Sequence, residues 1–126
     1  MADIGLLVAM LEEGTQSSVL EGDLLSYKGA IAENLVADIF GKMGRKLYYY
    51  HKDGGVELDF LMRYKGQCTP VECKATTGNA KSMRTVMKHP EKYHVTSALK
   101  LGDYNIGRSN ELMTLPIYMA FLLTEV

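Results

Sequence analysis

The chain has 126 residues, 47% of them apolar and 23% charged, which suits one soluble domain over residues 1–126 with one hydrophobic core. Its longest apolar stretch, Ile4 to Leu11, is far short of the roughly 20 residues that cross a bilayer, and no repeat, low-complexity tract or linker is evident. The net charge of −1 is unevenly spread: residues 1–62 sum to −5, residues 63–108 to +6, and the last 18 residues to −2.

Asp3 is placed to cap a first helix running to about Glu13, with Ile4, Leu7, Val8 and Leu11 at helical spacing. Gly14 to Gly22 reads as a polar loop. A second helix is expected from near Ser26 to just before Gly44, because Ile31, Leu35, Val36, Ile39, Phe40 and Met43 fall on one face. Leu47 to His51 is tyrosine-rich and reads as a strand. Lys52 to Gly55 is a turn, Val56 to Tyr64 a second strand, Lys65-Gly66 a turn, and Gln67 to Ala75 a third strand. Connections this short imply an antiparallel meander. Thr76 to Asn79 reads as a loop and Ala80 to Lys88 as a helix, ended by His89-Pro90. Tyr93 to Leu101 is expected to be a fourth strand, Glu111 to Leu115 a short strand, and Ile117 to Leu123 a closing helix with Pro116 in its first turn. Gly102 to Asn110 gives no clear signal. Helices and strands in this order predict an α/β layered domain, a central mixed sheet flanked by helices.

Asp3 at the head of the first apolar stretch, with no basic segment before it, argues against a signal peptide. Cys68 and Cys73 form no zinc pattern and lie on one strand, where a disulfide would be awkward to close. Reduced thiols in a cytoplasmic protein are expected. His51, His89 and His94 are scattered without a metal-site spacing and read as surface or structural residues. Tyr48, Tyr49 and Tyr50 read first as strand formers, with base stacking as the alternative. Lys81, Arg84 and Lys88 recur at helical spacing and suit phosphate contacts, or simply a solvated helix face.

Strand alternation would put Val56, Leu58 and Phe60 on one face, with Glu57 and Asp59 on the other. Val71 and Cys73 would likewise oppose Glu72 and Lys74. If the apolar sets share a side, three carboxylates and one ammonium meet on one sheet face. Crowded carboxylates repel unless a cation neutralises them, and oxygen ligands of this kind suit Mg²⁺. A metal there can polarise a phosphoryl oxygen, and Lys74 can orient a water or stabilise developing charge. The alternative is an exposed face where alternating charges keep the domain soluble.

Glu57-Leu58-Asp59-Phe60 followed by Pro70-Val71-Glu72-Cys73-Lys74 resembles the D…(D/E)xK signature of the PD-(D/E)xK nuclease superfamily. Residues 27–36, Leu47 to Tyr50 and Leu115 to Tyr118, with Asp3 to Leu7 as the entering segment, resemble the nuclease-like domain found C-terminal to the ATPase module of many prokaryotic AAA-type ATPases. That resemblance implies a restriction-endonuclease-like fold and hydrolysis of DNA with Mg²⁺ or Mn²⁺. Asp59 and Glu72 would be metal ligands, the backbone carbonyl of Cys73 a third, and Lys74 the catalytic lysine. Glu33 would be the helical acidic residue of the site. Periodicity does not select it, because Glu33 and Asp38 flank the apolar stripe on its two shoulders. No G-x-x-x-x-G-K-[ST] loop occurs, so ATP binding of the Walker kind is not expected from this chain. It is then either a stand-alone relative or a fragment whose ATPase module lies elsewhere. The competing expectation is a catalytically silent DNA-binding, docking or oligomerisation module, homodimerisation included. A third is an acidic cluster that merely forms ion pairs.

Overall fold

In a computed structural model describing residues 3–22, 28–74 and 80–124, the expected meander forms at one side of a larger sheet. The strands are β1 (Tyr48–Lys52), β2 (Val56–Tyr64), β3 (Gln67–Lys74), β4 (Ala98–Gly102), β5 (Gly107–Ser109) and β6 (Leu112–Pro116). The helices are α1 (Ile4–Ala9), α2 (Thr15–Leu20), α3 (Lys28–Lys42), α4 (Lys81–Lys88) and α5 (Pro90–Tyr93), and a 3₁₀ helix at Ile117–Leu122 closes the chain. The sheet order is β1-β2-β3-β4-β6-β5. Pairing is antiparallel across β1-β2-β3 and between β5 and β6, and parallel for β3-β4 and β4-β6. The chain is thus a mixed α/β domain with a six-stranded mixed sheet between helices.

Two apolar clusters hold the layers together. Ala32, Val36 and Phe40 of α3 pack with Met62, Val71, Cys73, Leu99, Leu101 and Leu115 from the sheet and with Ala120 of the closing helix. Phe40 meets Phe60 edge-to-face with centroids 6.4 Å apart, which fixes α3 over the middle of β2. On the opposite face Met83 and Val86 of α4 pack with Leu58, Val95 and Ala98. α3 stops in a Schellman motif: Gly44 takes φ 72, Gly44 N–H donates to Gly41 O, and Arg45 N–H donates to Phe40 O. The β2–β3 hairpin turns on Lys65 (φ 50) and Gly66 (φ 75), a two-residue link with both central residues left-handed.

Several expectations need correction. Asp3 caps α1 as expected, its Oδ1 accepting from Leu6 N–H at 2.8 Å, but the helix ends at Ala9 rather than Glu13. The expected polar loop Gly14–Gly22 contains α2, entered through Gly14 at φ 89. The fourth strand starts at Ala98, not Tyr93, because Pro90 opens a helical turn that stops at His94, φ 53. β5 occupies part of the segment that gave no clear signal, and the closing helix is 3₁₀. The expected helix start near Ser26, the strand end at Ala75 and the loop Thr76–Asn79 lie outside the described residues. The three histidines are exposed, as are Tyr48 and Tyr49, while Tyr50 is half-buried against Tyr93. Both cysteines are free thiols.

Candidate active site

Strict alternation along β2 fails at one place, and that place makes the site. Tyr48 and Tyr50 of β1, two residues apart, face Leu61 and Leu58 of β2, three residues apart. One extra β2 residue is inserted, a β-bulge, which inverts the facing of everything beyond it. Val56 and Leu58 therefore pack toward α4, whereas Phe60 and Met62 pack toward α3. The expectation that Val56, Leu58 and Phe60 share a face is overturned for this reason.

Asp59 sits in the bulge. The β2–β3 register runs from Tyr64↔Gln67 to Phe60↔Val71. Past its end, the Asp59 Oδ2 accepts the Cys73 backbone N–H at 2.9 Å. A side-chain carboxylate takes over where a strand carbonyl would sit, so the half-buried Asp59 is tied to the backbone between Glu72 and Lys74. On β3 the expected alternation holds: Val71 and Cys73 enter the α3-side core, leaving Glu72 and Lys74 on the other face.

Glu72 is only 4% exposed and bonds Lys74 Nζ through Oε1 at 2.9 Å. Its Oε2 is buried with no hydrogen-bond partner among the described residues. Satisfied partners are the rule for buried polar atoms, so this oxygen calls for a partner beyond the described residues, a water or a cation being of the right chemistry. Burial raises the Glu72 carboxyl above its ordinary value, against the lowering effect of the Lys74 hydrogen bond. Partial burial by itself would lower Lys74, yet the bond to Glu72 and the charges of Glu72, Asp59 and Glu33 raise it. Glu33 of α3 is raised by burial and then by the Asp59 charge, with Lys74 opposing. Glu33 thus belongs electrostatically to the same group. Asp38 does not: it pairs with Lys42 one helical turn on at 2.7 Å. The symmetry that sequence left between the two acids is broken by that pair.

The Cys73 thiol points into the core and is pushed up to about 12, chiefly by burial and then by the Asp59 and Glu33 charges. The Cys73 backbone N–H, not its thiol, is what bonds Asp59. Among the described residues, no three His, Cys, Asp or Glu side chains converge closely enough to hold a metal ion by themselves.

The family described as a domain of unknown function, DUF4143, matches residues 28–119, a span containing Glu33, Asp59, Glu72 and Lys74. The chain belongs to the DUF4143 family. Domains of this family occur C-terminal to AAA ATPases. No curated protein and no solved structure matches the chain. Among the described residues of this DUF4143 domain, no helix is long and apolar enough to cross a membrane.

Two residues of the DUF4143 site escaped sequence reading. Lys100 lies opposite Glu72 in the parallel β3–β4 register, and its charge favours the ionised carboxylate. It also lies over the Tyr104 ring, 4.7 Å from the centroid. Gly102 lies opposite Lys74, where a Cβ would overlap both the Lys74 carbonyl oxygen and the Tyr104 ring. Both depend on a long-range strand pairing. The local signal was only a lysine inside an apolar strand and a glycine at its end.

Proposed function

We propose that this DUF4143 domain is a metal-dependent endonuclease domain of restriction-endonuclease-like fold that hydrolyses DNA phosphodiester bonds. The observation that carries this reading is the buried Glu72 carboxylate, one oxygen bound to Lys74 and the other unsatisfied among the described residues, beside an Asp59 tied to the same strand. The order Asp59, Glu72, Lys74 across a bulged hairpin is also the order of the PD-(D/E)xK signature that the sequence resembles.

The donor set fits a hard divalent cation, because Mg²⁺ commonly takes one or two carboxylates and keeps several waters. Asp59 and Glu72 would hold Mg²⁺ or Mn²⁺, with the Cys73 carbonyl as a third donor. When bound, the cation supplies polarisation of a phosphoryl oxygen and neutralises charge. The rest falls to the chain. Asp59 is held in place by the Cys73 N–H. Lys74, kept charged by its surroundings, positions a water or stabilises negative charge on a phosphoryl oxygen. Glu33, raised by burial and by Asp59, is suited to hold a proton at its carboxyl. On α4, Lys81, Arg84 and Lys88 are all exposed, no acid shares that helix, and none of the three has an ion pair among the described residues. That stripe suits contacts to a phosphate backbone.

A second reading is favoured by the absence of a three-donor cluster among the described residues and by the family's association with ATPase modules. In it the domain is a catalytically silent DNA-binding, docking or oligomerisation module. One assay separates the two. Purified protein is incubated with single-stranded, double-stranded and branched DNA and Mn²⁺. The nuclease reading expects cleavage that falls about 100-fold or more in Lys74→Ala and Asp59→Ala. Cleavage that survives both substitutions refutes the site, and a folded wild type that cuts none of the substrates supports the silent module.

A further inference from the structure

The β1–β2 register ends at Tyr48 opposite Leu61, while β2 runs on to Tyr64. The segment leaving α3 turns away at Gly44, and a cleft of about 480 Å³ opens between it and the β2–β3 hairpin. That volume lies within the roughly 300–1,000 Å³ usual for small-molecule sites. The cleft lies on the turn side of the Asp59 bulge, which its lining residues Tyr48 and Leu61 flank, and none of its lining residues belongs to the candidate active site.

Its chemistry is one-sided. Arg45, Lys46 and Arg63 line it, and among the described residues no carboxylate does. The Arg45 guanidinium is locked in place by donating to the Arg63 carbonyl at 2.8 Å and to the Leu123 carbonyl, so its charge is fixed at the cleft. Lys46 and Arg63 are exposed and have no ion pair among the described residues. Lys46 and Arg63 thus present an ammonium and a guanidinium on one concave surface, and that pair attracts anions and matches a phosphoryl group. The remaining lining is different in kind. Tyr48 keeps 62% of its surface exposed, and Leu61 and Met62 add apolar lining. An exposed tyrosine ring is a stacking platform for a flat group.

We propose that this cleft binds a small phosphorylated ligand carrying a flat ring, a nucleoside monophosphate being the simplest member of that class. The site goes beyond the nuclease reading and does not rest on it. Cys68 lines the cleft with an exposed thiol, whereas Cys73 is buried, so labelling of the native protein by a thiol reagent reports Cys68.

The test measures Cys68 labelling rate and calorimetric binding on the intact chain with adenosine 5′-monophosphate, adenosine and inorganic phosphate. The expected result is that millimolar adenosine monophosphate slows labelling. It should also bind about tenfold or more tightly than adenosine or phosphate. The paired substitution Lys46→Ala with Arg63→Ala should remove protection while leaving the unfolding midpoint near wild type, since both side chains are exposed. Asp59→Ala should leave protection intact. No protection by adenosine monophosphate, or equal protection in the paired variant, overturns the site. Inorganic phosphate protecting as well as the nucleotide overturns the assignment of a ring-bearing ligand.

Discussion

The two ends of the β2–β3 hairpin are built on opposite terms. At the turn, Tyr64 faces Gln67 in regular register, and Lys65 and Gly66 supply the left-handed backbone a tight hairpin needs. At the far end the ladder is broken by one inserted residue, a carboxylate substitutes for a backbone acceptor, and a buried acid keeps an oxygen unsatisfied among the described residues. The turn end spends its residues on folding. The bulge end holds a buried carboxylate and an ion pair that hairpin formation does not require, which is why the proposed chemistry is placed there.

The largest effect should come from Gly102→Ala. A Cβ there overlaps the Lys74 carbonyl and the Tyr104 ring, so β3 and β4 must part at the site. Backbone overlap of this kind should cost about 1–3 kcal/mol or more and reduce any activity along with stability. Urea unfolding of the variant measures it, and a cost near zero would mean the strands are less closely set than described.

Asp59→Ala should follow, at about 1–3 kcal/mol, because the Cys73 N–H is left without its acceptor. Asp59→Asn keeps an acceptor oxygen and should recover most of that stability while still failing to cleave DNA. Parallel unfolding and cleavage assays would separate the structural role of Asp59 from its charge.

Glu72 makes the bulge end pH-sensitive. Burial raises its carboxyl above the ordinary 4.5, so the folded chain binds that proton more tightly than the unfolded chain. Its contribution to stability is full below pH 4.5 and is lost as pH rises through the higher folded value. Lys74 has the same sign at the alkaline end: raised above 10.5, it contributes stability that is lost as pH climbs through its folded value. Glu72→Gln should flatten the decline between mildly acidic and neutral pH, and near neutrality it should be neutral or stabilising, since a buried charge is replaced by an amide. Unfolding curves of both proteins across that range provide the test.

The turn should lose less stability than Gly102 or Asp59. Gly66→Ala places a Cβ at φ 75 in open space, so only backbone strain is incurred, about 1 kcal/mol. It should leave the chemistry untouched. A loss of activity there as large as at Gly102 would erase the distinction between the two ends.

Much of the fold was readable because it is local. The apolar stripe of α3, the Asp3 cap, the Lys65-Gly66 turn and the alternation of β3 are each set by residues a few positions apart. What sequence missed needed distant partners. The Asp59 bulge changes the facing of Phe60 and Met62 only because β1 and the two helical layers accept the inverted side chains. The parallel register that sets Lys100 beside Glu72 and Gly102 beside Lys74 is likewise invisible to a local window. The site residues themselves, Asp59, Glu72, Lys74 and Glu33, were named from the sequence. Alternation grouped Asp59, Glu72 and Lys74 with Glu57 for a partly wrong reason, since the bulge rather than a shared apolar face ties Asp59 to β3, and Glu33 came from the family resemblance alone. Glu33 was preferred to Asp38 on the resemblance alone, and the structure adds that Asp38 pairs with Lys42.

In the proposed site the Glu72 oxygen left unsatisfied among the described residues and the Asp59 carboxylate share one cation. Calorimetric titration of Mn²⁺ into the wild type, Glu72→Gln, Asp59→Asn and an exposed control, Glu12→Gln, tests it most directly. Binding is expected in the wild type and in the control, and its loss in each of the two site variants. A folded wild type that binds no Mn²⁺, or binding undiminished in Glu72→Gln, would contradict it.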